Sequence, residues 1–345
     1  MSDSDLGAKA PGFELGRLLR DQLRNIAPFA TLILLVGFFS VAAPSFATLG
    51  NLENILQQVS VTAMIAVGLT FVILTAEIDL SVAAVANATA IVLCFFTAQP
   101  DYVNIQNLPL PGLLAIPLAL AACAALGLLT AFGVTRIGIP SFIMTLAMMQ
   151  IGAGLSAVLV RGQIAYNIPP LVLTLGSKTL YGVPWIIIVA AIMLLIAHLV
   201  LSHTRFGRYV YMVGGNREAA EYSGVNVRFV TGAVMTISAV CSGVAGMLGV
   251  AYFGSAQQNE FDTFLLDAIA AVVVCGTSLF GGRGGIGNTI LGLFVLGVLN
   301  NGLDYVKIDS FLKILIRGLI LLLALIVNVY AQRMRTRAAT TATGA

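Results

Sequence analysis

Apolar runs recur along almost the whole chain, and their length constrains the fold more than any other feature. A bilayer core about 30 Å thick is crossed by roughly 20 residues of helix, and ten runs approach that length. They are Ile26 to Pro44, Val59 to Thr75, Val82 to Thr97, Leu113 to Gly133, Phe142 to Val160, Val183 to Leu201, Phe229 to Tyr252, Phe264 to Phe280, Asn288 to Asn300 and Phe311 to Tyr330. The third and ninth are short, which predicts that the chain near Asp79 and Arg283 re-enters or breaks at membrane depth. Hydrophobic residues make up 59% of the chain and charged ones only 10%, against roughly 45–50% and about 25% in soluble domains. An ordinary soluble protein is therefore excluded. No polar linker divides the chain, so one membrane domain over 26–330 is expected, between a cytoplasmic amino-terminal segment, 1–25, and a cytoplasmic tail, 331–345. The first run starts too far in and is too long for a cleaved signal peptide, and reads as a retained helix.

Basic residues orient the spans, because Lys and Arg gather in cytoplasmic loops. With the amino terminus inside, thirteen of the eighteen lie on inner segments, among them Arg136, Arg205, Arg208, Arg217, Arg228 and Arg283. The other five are Arg161, Lys178, Lys307, Lys313 and Arg317. The expected fold class is an all-α, polytopic transmembrane helical bundle of about ten spans with both termini cytoplasmic. A net charge of +3 is too small to imply a nucleic-acid partner. The lipid bilayer is the implied surroundings.

The four cysteines, Cys94, Cys123, Cys241 and Cys275, sit in apolar runs without metal-ligand or disulfide spacing, and read as small buried hydrophobes. Gly127, Gly152, Gly154, Ser156, Gly243, Gly246 and similar small residues read as sites of close helix approach. Ionisable groups inside a membrane cost several kcal/mol unless paired or hydrated. Asp79 either belongs to a hydrated inner gate or proton site, or caps the third helix through the amides of Ser81 or Val82. Glu77 has two readings, a hydrated gate or proton site, or a side chain that reaches cytoplasmic water. Asn87, Gln150, Asn300 and Asn301 either line a pathway for a polyhydroxylated solute or make interhelical amide bonds. Lys313 and Arg317 read as side chains snorkelling to the outer interface.

The longest inner loop, Ser202 to Arg228, carries a short exposed helix by its capping pattern. Asn216 is its amino-terminal cap, Glu218 complements its dipole, and Gly224 ends it in the left-handed conformation. Two phosphate-site decoys are set aside. Gly282, Gly284 and Gly287 satisfy G-x-G-x-x-G, but they follow a run too long for a strand and read as a tight cytoplasmic turn anchored by Arg283. Gly176 to Thr179 reads GSKT but lacks the earlier glycine of a phosphate loop.

The run TRFGRYVYMVGGNREAAEYSGVNV resembles the cytoplasmic coupling loop of ribose-type permeases of ATP-binding-cassette importers. GLTFVILTAEIDLSVAAV, GIPSFIMTLAMMQIGAGL and LLDAIAAVVVCGTSLFGGRGGIGNTILGLFVLGVLNNGL resemble the same family, in the same order. The resemblance implies that Gly215, Asn216, Glu218, Ala219, Ala220 and Gly224 form the loop that docks on an ATPase subunit. It implies no nucleotide site or cofactor in this chain, with ATP and magnesium on that ATPase. It further implies an extracytoplasmic sugar-binding protein, a second permease copy, most simply in a homodimer, and a place in the bacterial cytoplasmic (inner) membrane. The implied function is import of a small sugar or sugar-like solute. Ala76 and Glu77 stand where such permeases usually carry paired glycines, and QNEFDTF replaces their usual run before Leu265; both departures leave the solute open. The rival reading is a proton-coupled secondary transporter that uses Glu77 and Asp79 as a relay. A membrane-embedded enzyme would need a catalytic constellation, and His198 and His203 do not form one.

Overall fold

The computed structural model describes residues 28–97, 110–166, 168–177, 179–309, 311–323, 325–326 and 329. The segment 1–25, the tail 331–345 and Lys178 lie outside them. The helices, in chain order, are α1 (Pro28–Ala42), α2 (Leu49–Leu74), α3 (Val82–Phe95), α4 (Gly112–Phe132), which continues into a π-helical turn over Gly133–Ile137, α5 (Ser141–Val160) and α6 (Pro170–Ser177). Then come α7 (Trp185–His203), α8 (Arg205–Gly215), α9 (Arg217–Tyr222), α10 (Val227–Phe253), α11 (Asp262–Val274), α12 (Ile286–Tyr305) and α13 (311–323). Each of the ten predicted runs contains one helix. Among the described residues, α2, α4 with its π-helical turn, α5, α7, α10 and α12 are long and apolar enough to cross a membrane. The protein is a mostly helical, multi-pass membrane protein.

Lipid is as apolar as a leucine side chain, so sorting in this bundle follows small and polar residues rather than hydrophobicity. The apolar windows of α2 and α10 are 78% and 72% buried, whereas those of α4, α5 and α7 are 22%, 28% and 22% buried. The outer helices turn side chains such as Leu113, Leu128 and Leu195 outward. The centre is built from α2, α3 and α10, where Gly246 lies against the backbone of Ala86 and Gly152 of α5 against Ala84. Gly154, by contrast, has nothing within 4 Å of where a Cβ would stand, so its expected packing role is absent here.

Three helix limits and one connection differ from expectation. α2 starts at Leu49 rather than Val59 because the Thr48 hydroxyl caps it, accepting from the Asn51 amide at 3.2 Å; Asn51, Asn54, Gln57 and Gln58 are helical but dilute the apolar run. The ninth run is not short, since α12 continues through Asn300, Asn301 and Asp304 to Tyr305. The eighth is shorter than predicted: α11 stops at Val274, and Gly276 takes φ 102° as the chain enters a glycine turn. Between α5 and α7 stand α6 and a hairpin pairing Thr179–Leu180 with Val183–Pro184, a small β element in a chain read as all-α. Its two-residue turn, Tyr181 and Gly182, has positive φ at both positions, as the favoured hairpin turns require.

Candidate functional site

The loop between α7 and α10 folds into two short helices at right places for contact with the bundle. The Thr204 hydroxyl caps α8, accepting from the Gly207 amide at 3.1 Å. α8 buries Val210 and Val213 and turns Arg208, Tyr209 and Met212 outward. Asn216 then caps α9, its Oδ1 accepting from the Ala219 amide at 2.9 Å. Gly224 ends the helix at φ 81°, and the Val225 amide closes it on the Ala220 carbonyl at 3.0 Å. The short helix read from the sequence is present. Its residues do not all face one way, however. Gly215, Asn216, Glu218, Ala219 and Gly224 are exposed, while Ala220 is buried. Ala220 therefore anchors α9 to the bundle, and the surface left open is Arg217, Glu218, Glu221 and Tyr222, the last 91% exposed.

Four links join α8, α9, the end of α2 and the glycine turn of Gly281–Gly285 to one another. Gly214 packs on the carbonyl of Leu74, the last residue of α2. The Gly282 amide donates to that same carbonyl oxygen at 2.9 Å. The Tyr211 hydroxyl donates to the Gly284 carbonyl at 3.0 Å; burial pushes its phenol pKa up, so the proton is kept. Arg217 Nη1 meets Glu77 Oε1 at 2.7 Å. Glu77 is thus largely covered rather than free: its side chain is 11% exposed and is paired with the Arg217 guanidinium.

Asp79 is buried and fully engaged. Its Oδ1 accepts from the Ser81 amide at 2.9 Å and the Ser81 hydroxyl at 2.6 Å, and its Oδ2 accepts from the Ser238 hydroxyl at 2.7 Å. The expected amide bond is there, and the bond to Ser238 ties the segment before α3 to α10 as well.

The other polar residues gather toward the opposite end of α2. Asn300 Nδ2 donates to Asp267 Oδ2 at 3.3 Å, and its Oδ1 accepts from Arg317 Nε at 2.9 Å. Arg317 Nη1 also lies 3.5 Å from Asp267 Oδ2. This triad of α11, α12 and α13 borders a cavity of about 170 Å³ that also touches α2 at Gln58 and Thr62. Arg317 therefore pairs inside the bundle rather than snorkelling, and Lys313 pairs with Asp304. Asn87 makes interhelical amide bonds: it donates to Asp262 Oδ1 at 3.0 Å and accepts from the Phe261 amide at 3.0 Å. Asn301 is buried beside the triad in sequence, with its Oδ1 unpartnered. Gln150 faces outward from α5 and joins none of these groups.

Asp267, Arg217, Tyr211, Gly214 and Ser238 carry this geometry, and reading the sequence did not single them out. For Asp267 a signal existed, since an acid within an apolar run is by default a functional site with a partner to be named. Arg217 was counted only for its sign. Among the described residues, no group of three His, Cys, Asp or Glu side chains is placed to hold a metal.

Comparison with known proteins agrees with this architecture. The family model described as branched-chain amino acid transport system / permease component matches residues 51–325. The chain is 38% identical to the ribose import permease protein of Escherichia coli strain K12 over 302 residues, covering 86% of this chain and 91% of that protein. It is 32% identical to the D-allose transport system permease protein of the same strain, covering 84% and 87%, and 31% identical to its L-arabinose transport system permease protein, covering 97% and 98%. No solved structure matches it.

Proposed function

Because the chain belongs to the family of branched-chain amino acid transport system permease components, we propose that it is the membrane subunit of an ATP-driven importer whose cargo is a small sugar. The observation that carries this reading is the near full-length likeness to import permeases for ribose, allose and arabinose. All three named solutes are monosaccharides, and none of these relatives is named for an amino acid. The chain crosses the bacterial inner membrane about ten times with both termini in the cytoplasm, so that 1–25 and 331–345 flank a permease domain over 26–330. It works as a pair, most simply a homodimer, with an extracytoplasmic sugar-binding protein outside and an ATPase subunit inside that holds ATP and magnesium.

The mechanism follows from the four links. The ATPase docks on α9, where Glu218, Glu221 and Tyr222 stand free beside a helix held by buried Ala220. Any movement of α9 or α8 acts directly on Leu74 through Gly214 and on Glu77 through Arg217. α2 is a continuous helix from Leu49 to Leu74, so a push at its end is carried along its length. Tyr211 and Gly282 bring the start of α12 into the same movement. The pathway thereby alternates between outward and inward access. The rival proton relay draws no support from Glu77, whose Oε1 is paired with Arg217, or from Asp79, whose two oxygens accept from Ser81 and Ser238.

The test is to replace Glu218 with Lys and Tyr222 with Ala in the assembled transporter. Sugar-stimulated ATP hydrolysis is expected to fall while the permease still inserts and folds. Unchanged coupling in both variants removes α9 as the docking element.

A further inference from the structure

We propose that the cavity lined by α2, α11, α12 and α13 binds one monosaccharide ring within a single protomer, with Phe264 against the ring and Asp267, Asn300 and Arg317 on its hydroxyls. The proposal rests on the importer reading and adds to it a location for the cargo. Three observations carry it.

Size comes first. The cavity measures about 170 Å³, and an engineered cavity of about 150 Å³ holds one benzene ring. Sites for larger, drug-sized ligands start near 300 Å³. The volume is on the scale of a single ring.

The lining has two characters, apolar and polar, as a sugar does. Phe264 supplies an aromatic surface, and its ring is held by Phe253 and Phe261 at centroid distances of 6.0 and 5.8 Å. The C–H face of a pyranose is the apolar surface it would cover. One turn along the same face of α11, Asp267 brings a carboxylate that accepts from hydroxyl groups, with the Arg317 guanidinium that donates and the Asn300 amide that does both in the same lining. Gln58 and Thr62 of α2 and Thr263 of α11 complete the wall with further polar groups.

The third observation is that Asp267 is held loosely by its two partners. The Asn300–Asp267 bond is 3.3 Å and the Arg317–Asp267 approach 3.5 Å, both longer than the usual charge-assisted range of about 2.7–2.9 Å. Hydroxyl groups entering here exchange bonds with the triad instead of meeting bare charge. Occupancy is therefore weak and reversible, as a transit site requires. The same helices, α2 and α12, reach the Leu74 and Gly284 contacts at their other ends. Thr62 and Leu74 are about 18 Å apart along α2 at 1.5 Å per residue, so the cavity wall and the docking helix share one rigid element.

The experiment uses the full chain in lipid nanodiscs. Its four native cysteines are all buried, so Thr62→Cys gives a single reactive reporter in the cavity, and Gln58→Cys a second one should the first fail to fold. The rate of modification by aminoethyl methanethiosulfonate is measured with D-ribose, L-arabinose, D-allose, D-galactose, maltose and L-leucine. At least one monosaccharide is expected to slow the reaction by about tenfold at roughly ten times its Kd, maltose to have no effect, and Asp267→Asn to abolish the protection. Equal rates with every monosaccharide, equal protection by maltose, or protection by L-leucine alone overturns the proposal. If the assembled transporter still couples ATP hydrolysis to monosaccharide uptake with neither reporter protected, the cavity assignment falls and the importer reading stands. Protection by a monosaccharide without ATP-coupled uptake supports the cavity and removes the importer reading.

Discussion

Replacing Gly214 with Ala tests whether α8 is seated directly on the end of α2. A Cβ at this position stands 2.7 Å from the Gly282 nitrogen and 2.8 Å from the Leu74 carbonyl carbon, and closer still to the Leu74 oxygen. Carbon atoms pack best at about 3.5–4.0 Å, so the two backbones must part by on the order of 1 Å. Overpacking of this kind costs about 1–3 kcal/mol. Separation also stretches the 2.9 Å bond from Gly282 to Leu74, worth about 1 kcal/mol net, while alanine regains about 1 kcal/mol of helix propensity. The balance is a loss of about 1–3 kcal/mol, or for a chain of 345 residues a Tm lower by about 1–4 °C. The neighbouring Gly215→Ala is the control, because a Cβ there meets nothing within 4 Å; it should hold or slightly raise the Tm. Thermal unfolding in nanodiscs, followed through the single tryptophan, Trp185 at the head of α7, reads both variants on one scale. Equal Tm values for the two would refute the argument that α8 rests on the Leu74 carbonyl.

Glu77→Gln removes the charge opposite Arg217, whose side chain is 52% exposed; the stability change should stay under about 1 kcal/mol, with sugar-stimulated ATPase activity reduced and the pH profile of uptake unchanged. A pH profile that vanishes in this variant would return Glu77 to the role of a proton site. Arg317→Met leaves the buried Asp267 carboxylate without its cation and should destabilise by about 3–5 kcal/mol, whereas Arg317→Met combined with Asp267→Leu should recover most of that in a thermal melt without restoring uptake. Gly224→Ala must place a side chain at φ 81°, which costs about 1–2 kcal/mol; limited proteolysis around α9 should become faster.

Membrane location and the position of every long helix were legible because their cause is local: an apolar run of the right length has few alternatives in water. Helix limits were less legible where polar side chains continue a helix. Asn51 to Gln58 at the start of α2 and Asn300 to Asp304 at the end of α12 lower the apolar signal, yet their backbone bonds continue the ladder. The α9 helix could be read from Asn216 and Gly224 because capping is decided within a few residues. What the helix touches could not, since the partners are distant in sequence: Glu77 is 140 residues from Arg217, and Tyr211 is 73 from Gly284. Ala220 illustrates the limit well. Its chemistry suits either face of a short helix, and only the packing beneath α9 decides that it points inward. The Asp267, Asn300 and Arg317 triad was hidden for the same reason, since three separate helices must be in place before those groups meet.

The central claim is that this permease is driven by a partner ATPase acting through α9. The most direct measurement is ATP hydrolysis in proteoliposomes that hold this chain and its partner ATPase, with a binding protein loaded in turn from a panel of monosaccharides. The account predicts that one loaded binding protein stimulates hydrolysis and that uptake of its sugar follows. Failure of any ATPase to associate with the chain, together with uptake driven by a proton gradient, would contradict it.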